Sequence, residues 1–185
     1  MKKNIYRVKT GKFTDKALII YLGKETPEEY IIPWTDIELV SLGVLHEKPP
    51  SASSEMSPLR KKVREVLFKE SKQEQRIQPD IRKHYIIDIF IKDTKNIYRF
   101  DSAYINYRAF LDQIEYVTLN NFKKFLIKLN KHLKNVNVTP DMEYFINNQM
   151  HKIFICESIF DFEIYNTQYL KKLRSGEIKS DQTDR

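Results

Sequence analysis

Apolar residues in the first half of the chain recur at short, strand-like intervals. Ile5-Tyr-Arg-Val8, Ala17-Leu-Ile-Ile-Tyr-Leu22 and Tyr30-Ile-Ile-Pro-Trp34 are β-branched and aromatic runs separated by turn formers at Thr10-Gly11-Lys12 and at 24–29. Ile37 to Val44 alternates as a fourth strand. Links this short favour an antiparallel meander, because a parallel pair needs a crossover of about a dozen residues. Pro33 cannot donate to a ladder and places its strand at an edge or a bend. His84 to Lys92 and Asn96 to Phe100, joined by Asp93-Thr94-Lys95, form the clearest hairpin signal. Between these groups the pattern lapses. Residues 49–57 stack Pro and Ser, and an insertion over 46–83 is predicted. It carries a helix starting at Ser57-Pro58 with Leu59, Val63, Val66 and Leu67 on one face.

The second half switches to helical spacing. Ser102 to Ile114 fits a short helix with Tyr107, Phe110, Leu111 and Ile114 on one side. From Asn121 to Lys134, Phe122, Phe125, Leu126, Leu129 and Leu133 repeat at three, four and seven, the stripe of a helix with one buried face. Lys123, Lys124, Lys128, Lys131 and Lys134 fill the rest of that helix without a carboxylate. Thr139 as N-cap and Pro140 at the first helical position announce another helix, with Met142, Phe145, Ile146 and Met150 on one side. Ile153 to Cys156 and Ile159 to Tyr165 fit helix or strand, and the balance leans to helix ending near Ser175-Gly176. Residues 179–185 read as a disordered tail.

Length and composition narrow the class. A chain of 185 residues, 41% hydrophobic and 31% charged, suits one core with a strongly solvated surface. With four glycines, tight left-handed turns must often fall on Asn or Asp. The formal charge of +7 would attract nucleic acid or an anionic membrane surface. A bias towards Lys, Ile and Asn can also arise from AT-rich coding without selection for an acidic ligand. One cysteine, Cys156, excludes an intramolecular disulfide and fits a reducing compartment. The first apolar run, Ala17 to Leu22, is too short and too late for a signal core or a membrane span, so a cytoplasmic location is expected, with peripheral membrane contact as a variant.

Chemistry is sparsely supplied. His46, His84, His132 and His151 are scattered without ligand spacing, and four glycines leave no room for a phosphate-cradling loop. Cys156 among Ile and Phe reads as a small core hydrophobe. Asp161 and Glu163 would face the same way only on a strand, and they read as solvated surface. Asp36 reads as an organiser of the turn after Trp34. No catalytic residue, metal or cofactor is expected.

Thr14-Asp-Lys-Ala-Leu-Ile-Ile-Tyr21, Tyr30-Ile-Ile-Pro-Trp-Thr-Asp-Ile37 and the strand pair before the 121–134 helix resemble the bacterial pleckstrin-homology-like domains over about residues 5–134. The long insertion and the segment after Pro140 depart from that family's minimal pattern. The resemblance implies an α+β fold, an antiparallel β-barrel or sheet over 1–138 closed by the amphipathic helix; the residue pattern adds to it the 46–83 insertion and C-terminal helices over 139–178. The resemblance also implies a non-catalytic adaptor that engages a protein partner or an anionic lipid-headgroup surface. Two basic groups are candidates for the anionic ligand: Arg7, Lys9, Lys12 and Lys16 around the first hairpin, where family members use basic residues, and Lys123, Lys124, Lys128 and Lys131 on the helix. A solvated, solubilising face explains the helix lysines equally simply. Met142, Phe145, Ile146 and Met150 must pack on the barrel or on another chain, which makes them candidates for a partner interface or for self-association. The alternative is a nucleic-acid-binding domain that uses the basic helix face, with aromatics beside cations such as Tyr98-Arg99-Phe100. It is the weaker reading, because those aromatics alternate as core residues do. An unidentified enzymatic activity ranks third.

Overall fold

A computed structural model of the chain describes residues 4–22, 28–47, 82–111 and 119–178. The expected loop at 49–57, the helix from Ser57 and the tail at 179–185 lie outside the described residues. The strands are β1 (Asn4–Val8), β2 (Thr10–Phe13), β3 (Ala17–Leu22), β4 (Glu28–Pro33), β5 (Ile37–Glu47), β6 (Arg82–Ile91), β7 (Asn96–Asp101), β8 (Asn137–Val138) and β9 (Ile155–Cys156). The helices are α1 (Tyr107–Leu111), α2 (Leu119–Asn130), α3 (Pro140–Ile146) and α4 (Ile159–Arg174).

The strands form two sheets, one of three strands in the order β2-β3-β4 and one of six in the order β1-β7-β6-β5-β8, with β9 also on β5. β1 and β2 are separated only by Lys9, so one run of chain leaves the first sheet and enters the second. The three-stranded sheet is antiparallel, as expected, and so are β5-β6 and β6-β7. The purely antiparallel meander is not. β1 lies parallel to β7, and β8 and β9 lie parallel to β5. These pairs join segments far apart in sequence, so the connections supply the crossover that a parallel pair requires.

The expected barrel is also not closed. Among the described residues β1 is bonded only to β7 and β4 only to β3, while β8 and β9 occupy the edge of β5 on which a closing strand would sit. The architecture is a mixed α+β stack of two sheets with helices on both faces of the larger one.

Side-chain alternation explains the layering. On β5, β6 and β7, Val40, Leu42, Val44, Tyr85, Ile87, Ile89, Tyr98 and Phe100 join Leu18, Ile20, Ile32 and Trp34 of the smaller sheet side in one apolar cluster. α2 adds Phe122, Phe125, Leu126 and Leu129, all essentially unexposed, so the predicted stripe is the helix's buried face. At about 1.5–3 kcal/mol per fully buried side chain, this stripe is a major share of the apolar stabilisation. Phe125 touches Phe13, Phe100, Tyr107, Phe110 and Phe122 with ring centroids 5.1–6.4 Å apart. The helix runs over 119–130 and gives way to turns at 131–136, where Leu133 and Val136 remain buried. Of the Ser102 to Ile114 helix, α1 spans Tyr107–Leu111, and residues 112–118 lie outside the described residues.

Turn chemistry follows the shortage of glycine. Asp93 in the β6-β7 turn and Asn148 after α3 take left-handed conformations, with φ of 55° and 59°. Thr139 precedes α3 with Pro140 at its first position, as predicted, but its hydroxyl accepts no bond from the helix. It accepts instead from the Leu42 amide, tying α3 to β5.

The ambiguous segment after Ile153 splits into both alternatives. Ile155 and Cys156 add to the edge of β5, and Ser158 caps α4 by accepting from the Asp161 amide at 3.2 Å. α4 lies on the outer face of the six-stranded sheet. Leu39, Phe90, Ile97 and Leu170 form one small cluster beneath it, and Leu45, Ile86, Cys156 and Phe162 form another. A Cβ on Gly43 would stand 2.5 Å from the Phe162 ring, so this close approach requires glycine in the middle of β5.

Candidate functional site

The polar groups under α4 form the most elaborate cluster. Asp88 and Arg99 face each other across the β6-β7 register and make a forked pair, Nε to Oδ1 at 2.7 Å and Nη2 to Oδ2 at 2.8 Å. Arg99 also donates to Glu163 at 3.1 Å. Asn166 donates to Asp88 at 3.3 Å and accepts from the Ser41 hydroxyl at 2.5 Å. Burial raises the Asp88 pKa, against the pull of Arg99. Arg99 is raised as well: desolvation, the largest influence, would lower it, but Asp88 and Glu163 together outweigh that. Asp88, Arg99 and Asn166 are buried and bonded across the sheet–helix boundary, so the cluster joins helix to sheet.

Asp161 and Glu163 stand two apart on a helix and therefore diverge. Asp161 accepts from Ser158, and Glu163 reaches Arg99. Sequence reasoning read Glu163 as solvated surface and passed over Asp88, although a lone carboxylate inside Ile86-Ile-Asp-Ile-Phe90 with an arginine in hairpin register was a usable signal. Asp141 has a similar role at the start of α3, accepting from the Phe154 amide and the Tyr165 hydroxyl, both at 2.8 Å. Burial pushes the Cys156 thiol up to about 12, which keeps it protonated near neutrality. Among the described residues no three His, Cys, Asp or Glu side chains converge as metal ligands, and no helix is long and apolar enough to cross a membrane.

The basic residues of the first hairpin are divided by the bend at Lys9. Arg7 stands on β1 beside Asp101 at 4.0 Å, with its guanidinium 5.1 Å from the centre of the Tyr104 ring. Lys12 and Lys16 are exposed on and after β2, in the other sheet. On α2, Lys123 donates to Asn148 at 2.6 Å, and Lys128 donates to the Phe110 carbonyl at 2.6 Å while its ammonium lies 6.0 Å from the Phe13 ring. Lys124 and Lys131 are exposed. The lysines of α2 are therefore not one uniform face.

The fold does bring parts of the two basic groups together. Trp34 stacks on His132 at 4.8 Å with planes 9° apart, and Phe13 packs against both rings. The Lys16 carbonyl accepts from the Trp34 amide, which sets the β2-β3 turn beside the end of α2. Lys16 and Lys131, both exposed, lie on the two segments that meet at this stack, Lys16 in the turn that bonds the Trp34 amide and Lys131 next to His132 in the chain. Desolvation lowers the His132 pKa; Lys128 and Lys131 push the same way, with Asp15 opposing. Lys131 and Lys134 also line an open cleft of about 360 Å³ between α2 and α3, with Glu143 and Ile146 on its far wall.

The apolar residues of the 139–150 segment are turned inward. Met142 and Phe145 belong to the main core, Phe145 packing edge-on against Tyr85 and Phe122, and Ile146 and Met150 are half-buried against it. Exposed apolar area lies further along the chain, where Phe154, Ile155, Ile159, Phe160 and Ile164 are each more than a third exposed and Phe160 reaches 66%. Phe160 and Ile164 are one turn apart on the solvent side of α4.

Comparison of the chain with protein-family models, curated proteins and solved structures finds no match.

Proposed function

We propose that this chain is a non-catalytic binding domain of pleckstrin-homology-like type that engages a protein partner through the outer side of α4. The observation that carries the reading is the exposed apolar group at 154–164. Five large apolar side chains exceed what a solvated helix surface needs, and α4 is held in place by the buried Asp88–Arg99–Glu163–Asn166 network. A rigid helix presenting a protruding Phe160 and Ile164 matches the groove-filling mode of helix recognition. The type assignment draws support from the first strand that runs through both sheets, the Trp34–Asp36 turn leading into β5, and the hairpin followed by α2.

A photo-crosslinking residue placed at position 160 of the full chain tests the reading in cells, with the same residue at the exposed Thr35 as control. A discrete adduct from position 160, lost on Ile164→Glu, is the expected result. Adducts of equal yield from both positions would overturn it. Light scattering on the purified chain separates a second copy from a different partner, since only self-association doubles the mass.

A second reading, contact with an anionic surface, is favoured by the exposed Lys16 and Lys131 on the two segments that meet at the Trp34–His132 stack. Co-sedimentation with vesicles that contain or lack anionic lipid tests it. Binding unchanged by lipid charge, or unaffected by Lys16→Glu with Lys131→Glu, counts against it.

A further inference from the structure

β4 is the open edge of the smaller sheet. α1 packs along β2 on one side of that sheet, and among the described residues β4 is bonded only to β3 on the other. Its pairing runs from Glu28 opposite Leu22 to Pro33 opposite Ala17 without a bulge. Bonded and non-bonded pairs alternate along an antiparallel ladder, and two bonds at its end fix which are which. The Trp34 amide donates to the Lys16 carbonyl at 3.2 Å, and the Ala17 carbonyl accepts from the Thr14 amide on the β2 side at 3.0 Å. Tyr30 and Ile32 are therefore the residues bonded to β3, whereas Glu29 and Ile31 turn both N–H and C=O away from it. Pro33 turns out a carbonyl alone.

Charge is unevenly placed along this edge. Ile32 is buried, so Glu28, Tyr30 and Ile32 face the core side, and Glu29, Ile31 and Pro33 face outward. Ile31 is 61% exposed beside its half-buried partner Ile19, which leaves a short apolar strip at the middle of the strand. Both carboxylates are exposed at one end, in a chain of net charge +7. An edge that only needs protection carries its charge or proline where a strand would pair most closely. Here that central position is Ile31, with the acidic pair before it and Pro33 after it. Such an edge rejects an acidic strand and accepts a basic one. A second copy of β4 fits poorly. A two-fold pair centred on Ile31 sets Glu29 against Pro33 and Glu28 against Trp34, so no cation on the pairing strand answers the carboxylates.

We propose that β4 docks an extended basic segment of a partner protein as a further antiparallel strand. The segment places a β-branched residue opposite Ile31, followed two and three positions later by basic residues opposite Glu29 and Glu28. Glu29 and Ile31 each exchange a pair of backbone bonds with it, and the Pro33 carbonyl accepts one more. This edge is separate from the apolar side of α4, which lies over the larger sheet.

The test is an NMR titration of the full chain, amide-labelled, with the capped peptide Thr-Thr-Val-Thr-Lys-Lys, whose valine falls opposite Ile31 in the proposed register. The Glu29 and Ile31 amides are expected to shift saturably and to exchange more slowly with solvent, while the Tyr30 and Ile32 amides, already bonded to β3, keep their exchange rates. A peptide ending in Glu-Glu should bind about tenfold more weakly or not at all, and so should one N-methylated at the valine, which keeps every charge but loses a backbone donor. Glu28→Lys with Glu29→Lys should weaken binding of the lysine peptide roughly three- to tenfold, and both positions are exposed, so the fold is spared. Absence of saturable shifts at Glu29 and Ile31 would overturn the proposal. So would equal affinity for the Glu-Glu or the N-methylated peptide, or shifts centred on α4. A dimer of the free chain that is lost on Ile31→Lys would give the edge to a second copy and overturn it as well.

Discussion

Toward the smaller sheet, β5, β6 and β7 present Leu42, Ile87 and Phe100; toward α4 the same strands present Ser41, Asp88 and Arg99. The inner face is apolar and shares its contacts among many close-packed side chains, so its strength is distributed over the cluster. The outer face joins a helix to a sheet through a few charge-assisted bonds set between two small apolar clusters. Buried pairs of that kind add little net stability, because desolvation offsets most of the attraction, but they penalise any arrangement that leaves one partner alone. We read the inner face as what makes the domain fold and the outer network as what fixes α4 in one register.

Mutations should separate the two. Phe125→Ala removes a fully buried ring from the centre of the aromatic cluster and is expected to cost about 4 kcal/mol in urea unfolding, the largest effect on the inner face. Asp88→Ala leaves the Arg99 charge buried with only Glu163 to meet it, for a loss of about 3 kcal/mol. Replacing the pair together, Asp88→Leu with Arg99→Met, should lose about 1–3 kcal/mol less than the two single losses added, as a register-setting pair requires. Full additivity would show that the network is not acting as a unit.

Gly43→Ala sets a methyl group against the Phe162 ring and is expected to destabilise by about 1–3 kcal/mol, and Gly43→Ala/Phe162→Ala should lose less than the two single losses added. Additive losses would mean that the glycine serves β5 itself and not the helix.

The smallest effect concerns pH. Burial holds the folded pKa of His132 below its ordinary 6.5, so between those values the unfolded chain binds more protons and stability rises with pH. The contribution is complete above 6.5 and is lost as pH falls through the lower folded value. The difference in stability between pH 7 and pH 5 should therefore shrink in His132→Phe, and Trp34 fluorescence should follow the same transition. An unchanged difference would show that the stack does not feel the imidazole charge.

The candidate surfaces were legible to different degrees. The lysines of α2 are plain in the sequence, yet what each one does depends on neighbours from elsewhere: Phe110 and Phe13 for Lys128, Asn148 for Lys123. The apolar residues of α3 carry the correct helical pattern, but the pattern cannot say whether the far side of the interface is the same chain; Met142 and Phe145 turn out to meet Tyr85 and Phe122.

By itself the sequence determined what depends on neighbours a few residues apart: the alternating strands, the β6-β7 hairpin with Asp93 in its left-handed turn, the buried stripe of α2, and the start of α3 at Thr139-Pro140. Those features arise from local backbone preference and from the period at which side chains return to one face. Tertiary structure decided the parallel partners of β1 and β5, the open edge that prevents barrel closure, the strand-then-helix split at 155–159 and the seat of α4 over Gly43. Each of these rests on which distant segments compete for the same edge or face, and burial and hydrogen bonding settle that competition only when the whole chain is packed.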